Sequence, residues 1–200
     1  MRLGHSVLER SAAYRIWQAP FAANKLAPVL RKNDLARARR VLDVGCGPGT
    51  NTAVFQHSDY LGIDLNPDYV SYARKKFQRE FVVADVTKYE VPAEERFDFI
   101  LVNSFLHHID TPAVRRVLGH LRTLLTPDGY IHILDLVLPE RPSIARLLAR
   151  MDRGDYPRIL EEWRQLFAET FEVAVFEPYL LSVLGITLWN MVYCKGRAVR

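Results

Sequence analysis

Cysteine is scarce in this chain of 200 residues, which holds two, Cys46 and Cys194. Two residues so far apart in sequence do not make a disulfide scaffold, and they suit a reducing compartment such as the cytoplasm. Long apolar runs are also missing. Tyr179 to Cys194 comes nearest, with 16 residues and few polar ones. A membrane helix needs ~20, and Gly185 interrupts this stretch, so two buried strands around a turn is the better reading. The first residues, Met1-Arg-Leu-Gly-His, lead into mixed polar sequence and not into the apolar core of a secretory signal. Internal repeats and low-complexity segments are absent. No second cysteine or histidine stands at ligand spacing from Cys46. The adjacent His107 and His108, with Asp110, do not converge on one ion, so no metal is expected.

What is present fits one compact domain over residues 1–200, with 49% apolar residues. Twenty-seven basic residues against 23 acidic ones leave a net charge of +4, and all but six of the basic residues are arginine. Such a balance can draw nucleic acid. Here the arginines are interleaved with acids, as in Glu161-Glu-Trp-Arg164, which describes a solvated, salt-bridged surface instead.

Residues 41 to 49, Val-Leu-Asp-Val-Gly-Cys-Gly-Pro-Gly, carry the strongest signal. A short buried strand runs into a turn with glycine at alternate positions, where the backbone can bend sharply and a ligand can approach without meeting a Cβ. Nineteen residues after Gly45, a second strand ends in Asp64. A carboxylate at that place can accept both hydroxyls of a ribose, though a helix-capping role also fits. The spacing is G-x-G-x-G and not the dinucleotide G-x-G-x-x-G. Asp43 inside the first strand would repel a pyrophosphate but could meet an ammonium.

Strands read at about 41–45, 59–63, 80–84, 97–103 and 129–136, and helices at 50–57, 67–78, 111–125 and two stretches between 142 and 169. The alternation predicts a doubly wound α/β fold with a mostly parallel sheet and helices on both faces. Asn66-Pro67 and Asp110-Thr-Pro112 have the form of helix starts. Phe171–Phe176 and Leu188–Cys194 read as two last strands joined by an apolar loop. Tyr14, Trp17, Phe21, Leu26 and Leu30 recur at helix-like intervals and call for a surface to pack against, which the rim of the sheet would provide.

With the acidic residue before G-x-G-x-G, the chain resembles class I S-adenosylmethionine-dependent methyltransferases. The likeness continues at Asp64, at Val82-Val-Ala-Asp85-Val, at Phe97-Asp-Phe-Ile-Leu-Val-Asn103 and at Leu125-Thr-Pro-Asp-Gly129-Tyr-Ile, covering roughly residues 38 to 136. It implies a Rossmann-like sheet of seven strands closed by an antiparallel strand, with an N-terminal helical cap (1–38) and a helical insertion near the acceptor pocket (137–169). The implied cofactor is S-adenosyl-L-methionine, bound by Asp43, Gly45, Cys46, Gly47, Gly49, Asp64, Leu65, Asp85, Val86 and Asn103. Asp85 would reach the adenine amino group with the Val86 backbone beside it, unless it is only a surface acid. Asn103 would hold the methionine end or position the acceptor, unless it is a cap.

His107, His108 and Asp135 lie where the fourth and fifth strands end. A hydroxyl acceptor needs its proton removed, and a histidine near neutrality is suited to that. Such a pair is frequent in the resembled family among members with different acceptors, which favours a structural, hydrogen-bonded role. Asp135 could bind the acceptor, assist a base or pair with an arginine. Arg141, Arg146, Arg150, Arg153 and Arg158 would suit an anionic substrate, or simply face solvent.

The expected function is methyl transfer to an oxygen, nitrogen or carbon of a small molecule. The Asn103-Ser-Phe-Leu106 stretch lacks the prolines of the Asn/Asp-Pro-Pro-Tyr signature carried by relatives that methylate planar amino groups. Alternatives are a membrane-surface methyltransferase of lipid or quinone metabolism, an NAD-type nucleotide-binding enzyme, and a non-catalytic binding module. An anionic acceptor and contact with a membrane surface stay open; nucleic acid is not expected; the oligomeric state has no signature.

Overall fold

A computed structural model describes residues 24–152 and 154–199. Tyr14, Trp17 and Phe21 lie outside them. The described chain forms one sheet of seven strands in the order β3-β2-β1-β4-β5-β7-β6. These are β1 (Arg40–Val44), β2 (Asp59–Asp64), β3 (Glu80–Val83), β4 (Phe97–Asn103), β5 (Leu125–Val137), β6 (Phe171–Val183) and β7 (Ile186–Ala198). The first five pair in parallel, and β7 runs antiparallel to both β5 and β6. Chain order reverses direction between β1 and β4, which opens a crevice at the carboxyl ends of those strands, the usual ligand position in such sheets.

The sheet is buried on both faces, so its central strands read as nearly unbroken apolar runs. Leu42, Val44, Ile100, Val102, Ile131 and Ile133 pack on one side with α3 (Thr111–Leu124) and α5 (Leu160–Thr170). Val41, Phe99, Leu101 and Leu134 pack on the other with α1 (Ala27–Lys32) and α2 (Pro67–Phe77). Each fully buried side chain of this kind contributes roughly 1.5–3 kcal/mol. Helix starts follow their sequence signals. Asn66 accepts from the Asp68 and Tyr69 amides before α2, and Asp110 from the Ala113 amide before α3. Ser143 caps α4 (Ile144–Met151).

Three expectations are corrected. The helix foreseen at 50–57 is only a single 3-10 turn, Thr52–Phe55, because β2 begins at Asp59 and leaves no room for more. β5 starts at Leu125, which pairs with Phe97, and the Thr-Pro-Asp-Gly turn bulges out before Tyr130 rejoins the ladder opposite Phe99. The last two strands are far longer than foreseen, and they meet at a tight turn, Leu184-Gly185, where glycine interrupts the apolar stretch. The outer end of that hairpin is not buried, with Leu184 97% exposed.

Candidate active site

Gly45, Gly47 and Gly49 all have positive φ, at 66°, 54° and 79°. The turn they form is stitched to β2, since the Gly45 and Cys46 amides both donate to the Ile63 carbonyl. A Cβ at Gly49 would come within 2.8 Å of the Phe77 ring, whereas one at Gly47 would meet no protein atom within 4 Å. Gly49 is therefore a packing residue, and Gly47 turns bare backbone toward open space. The Gly47 amide donates to Asp64 Oδ2 and the Asn66 amide to Asp64 Oδ1, each at 2.8 Å. An ionised carboxylate accepts at about four lone-pair positions, so Asp64 keeps capacity on both oxygens for a diol. Leu65 beside it is exposed.

Cys46 points inward and is buried, and burial chiefly pushes its thiol far above the usual range, so it is no nucleophile. Asp85 accepts from the Thr87 amide and hydroxyl, which hold its carboxyl below the usual range. The Val86 side chain is buried in the core.

Asp43 is fully buried. Tyr60 Oη donates to it at 2.7 Å and Asn51 Nδ2 reaches both its oxygens at 3.1–3.2 Å. Burial raises its carboxyl to about 7 against the pull of those two donors. Asn51 is its hydrogen-bonded link toward the end of β4. Asn51 Oδ1 accepts from Asn103 Nδ2 at 3.1 Å, Asn103 Oδ1 from Ser104 Oγ at 3.2 Å, and Ser104 Oγ from Lys25 Nζ at 3.3 Å. Ser104 holds φ 55°, a left-handed conformation uncommon for serine. Its amide is fixed by the Leu134 carbonyl at 2.8 Å. Strain of this kind gathers where function needs it.

His107 is buried between two carboxylates, with Nδ1 2.6 Å from Asp135 Oδ1 and Nε2 3.0 Å from Asp152 Oδ2. Burial favours the neutral ring, but Asp135 and Asp152 outweigh it and lift the imidazole to about 9. Both nitrogens therefore donate, and no lone pair is left to take a proton. His107 thus sits as a link between two carboxylates. Asp135 is wholly buried too, its oxygens taken by the Leu106 and Leu136 amides and by His107. His108 is exposed, its ring 4.1 Å from that of His107.

Of the arginines in the 137–169 segment, Arg153 lies outside the described residues, and Arg158 and Arg146 are held by backbone carbonyls. Arg158 is buried and donates to the carbonyls of Leu106, Tyr156 and Ile109, tying that segment beneath β4. Arg146 is held by the Pro139 carbonyl. Among the described residues, Lys25 lies at the crevice. A pocket next to the end of β4 is lined by Lys25, Ser104, His107, Leu136, Asp152, Trp189 and Met191. Lys25 is placed there by Tyr179 Oη, which donates to its carbonyl at 2.9 Å, and α1 is anchored farther on by Asn33 Nδ2 donating to Tyr193 Oη. Sequence spacing gives no sign of Lys25, Asn51 or Trp189, which lie far apart in the chain.

Residues 41–129 match a family model described as a methyltransferase domain. Over this stretch the chain is similar to class I S-adenosylmethionine-dependent methyltransferase domains. The chain is 31% identical over 121 residues to a trans-aconitate 2-methyltransferase of Escherichia fergusonii, covering 56% of this chain and 46% of that protein. It is 37% identical over 120 residues to a phosphoethanolamine N-methyltransferase of Arabidopsis thaliana, covering 55% and 24%. The methyltransferase domain thus spans half or less of the curated relatives it matches. Solved structures share its fold. An S-adenosylmethionine-dependent methyltransferase from Methanosarcina mazei superposes with a TM-score of 0.72 at 16% identity, over 87% of this chain and 98% of that one. The magnesium protoporphyrin IX methyltransferase of Synechocystis with bound S-adenosylmethionine gives 0.65 at 17% identity, over 92% and 82%.

Proposed function

We propose that the protein transfers the methyl group of S-adenosylmethionine to a small-molecule acceptor. The observation that carries this reading is the pairing of Gly47 with Asp64: bare backbone and a half-used carboxylate face the same crevice. Asp64 would hold the ribose hydroxyls, Leu65 and the Asp85–Val86 backbone would border the adenine, and Asn103, backed by Asn51 and Asp43, would hold the methionine end. Bound there, the cofactor supplies a methyl carbon on a cationic sulfur that needs no further activation. The chain's part is alignment, which is worth up to about 7–11 kcal/mol of a barrier. The His107–Asp135–Asp152 clamp positions the loop after β4, and the pocket between Lys25 and Trp189 receives the acceptor. The N-terminal segment and residues 137–169 serve as its cover, through Lys25 and Asp152. Two free, buried cysteines suit the cytoplasm. Titration calorimetry with S-adenosylmethionine and S-adenosylhomocysteine tests the reading: heat with both is expected, and silence with both on folded protein overturns it.

A membrane-surface variant is favoured by exposed Ile144, Leu147 and Met151 on α4 and exposed Leu180, Leu184 and Ile186 on the β6–β7 hairpin. No helix among the described residues is long and apolar enough to cross a membrane. Flotation with anionic vesicles is expected to carry the protein if this variant holds; protein left wholly at the bottom of the gradient removes it.

A further inference from the structure

The polar groups around the pocket are unevenly matched. Trp189 is 6% exposed, and its Nε1–H has no hydrogen-bond partner among the described residues. A buried indole N–H normally has one. Lys25 Nζ carries three hydrogens and makes one bond, to Ser104. Burial lowers its pKa, while the charges of Asp152 and Asp135 work to keep it an ammonium. The acceptor groups nearby are engaged: Ser104 Oγ receives Lys25, Asp152 receives His107, and Asp135 receives two amides and His107. Lys25 and His107 together balance the charges of Asp135 and Asp152, so the wall presents surplus N–H groups without surplus negative charge. Leu136 and Met191 supply the apolar remainder. The gap is small, about 20 Å3, near the room that one water needs.

Resting on the methyl-transfer reading, we infer that the acceptor arrives as an oxyanion, a carboxylate or an acidic phenolate, whose oxygen atoms are held by Lys25 Nζ and Trp189 Nε1. Such an oxygen is ionised before it binds, which fits a site whose buried histidine has no lone pair to act as base. One oxygen lone pair forms a bond to the methyl carbon. The carbon–sulfur bond breaks with its electron pair passing to sulfur, giving a methyl ester or ether and S-adenosylhomocysteine. No proton is released. Lys25 and Trp189 are the specificity residues of this step.

The test is a proton–nitrogen NMR titration of the 15N-labelled full chain saturated with S-adenosylhomocysteine, using benzoate, 4-nitrophenolate, benzamide and benzylammonium. Trp189→Phe identifies the Trp189 indole signal by its loss. Benzoate or 4-nitrophenolate is expected to move that signal downfield and to bind about tenfold or more tightly than neutral benzamide, the size of one charge-assisted hydrogen bond. Whichever of the two anions binds better names the source of the oxyanion. Lys25→Met is expected to abolish the preference over benzamide and Lys25→Arg to retain most of it. Equal binding of benzoate, nitrophenolate and benzamide, tighter binding of benzylammonium, or an unmoved indole signal overturns the inference. Should Lys25→Met fail to fold, the wild-type comparison still decides. Saturation with S-adenosylhomocysteine and no anion preference sinks the acceptor class alone; no binding of S-adenosylhomocysteine sinks the methyl-transfer reading with it.

Discussion

Gly154 lies so close to the His107 ring that a Cβ on it would come within 2.2 Å of Cδ2, and within 2.8 Å of the His107 carbonyl oxygen. The strand of backbone it belongs to is fastened on either side. Asp152 binds the far nitrogen of the ring, and the Tyr156 amide donates to the His107 carbonyl at 3.0 Å. The segment after α4 closes over the clamp at the one place where a residue has no side chain.

Gly154→Ala is therefore expected to push the segment off the ring. Overpacking of this kind costs about 1–3 kcal/mol, readable from urea unfolding. The Asp152–His107 contact should open at the same time, so the imidazole pKa followed by NMR should fall. An unchanged pKa would show that the segment yields elsewhere.

The clamp also sets a pH dependence. His107 has a folded pKa of about 9 against an ordinary 6.5. A raised histidine pKa gives stability that is complete below about 6.5 and is lost as pH rises through about 9. The loss over that interval is on the order of 3 kcal/mol. Denaturant unfolding between pH 6 and 10 should show the decline, and His107→Gln should flatten it. A wild-type curve level across this range would contradict the doubly paired ring.

Asp43 runs the same way for a different reason. Its folded pKa of about 7 exceeds the ordinary 3.8 because the charged form is buried. A raised carboxyl pKa leaves no penalty below about 3.8 and a growing one as pH rises to about 7, where the folded state must ionise. Whatever offset an amide introduces, the stability of Asp43→Asn relative to wild type should increase from pH 4 to pH 8. A constant difference would mean that Asp43 ionises in the folded protein at its ordinary pKa.

Asp64→Ala tests the cofactor end. Removing charge-assisted hydrogen bonds to a diol should weaken S-adenosylhomocysteine binding by roughly 1–3 kcal/mol, measured calorimetrically. The Gly47 amide loses its partner as well, so part of the effect comes from a looser turn. An unaltered dissociation constant would refute the ribose role.

The parallel half of the sheet was legible because burial on both faces leaves nearly unbroken apolar strands, as in Phe97–Asn103, whose bounds agree with those read from sequence. Asn66-Pro67 and Asp110-Thr-Pro112 likewise declared their helices through local chemistry. The β6–β7 hairpin was read too short because its outer end is half exposed and its residues alternate weakly. The pocket left no trace in the sequence for another reason. Lys25 and Ser104 are 79 positions apart, and His107 and Asp152 are 45 apart. Groups that meet only through the sheet's topology have no spacing to betray them. Arg158 was misjudged for the same reason, since the carbonyls that hold it belong to the loop after β4.

Trp189 and Met191 reach the pocket as alternate residues of β7, with Met191 opposite Leu136 on β5 and Leu181 opposite Trp189 on β6. Side chains on a strand alternate sides, so sliding β7 by a single position would turn both away and bring Leu188 and Asn190, or Asn190 and Val192, into their place. On the proposed reading, the choice of acceptor is written in odd and even numbers on the last strand. Changing the Leu184-Gly185 turn by one residue would be enough to rewrite it, leaving the cofactor's half of the molecule as it was.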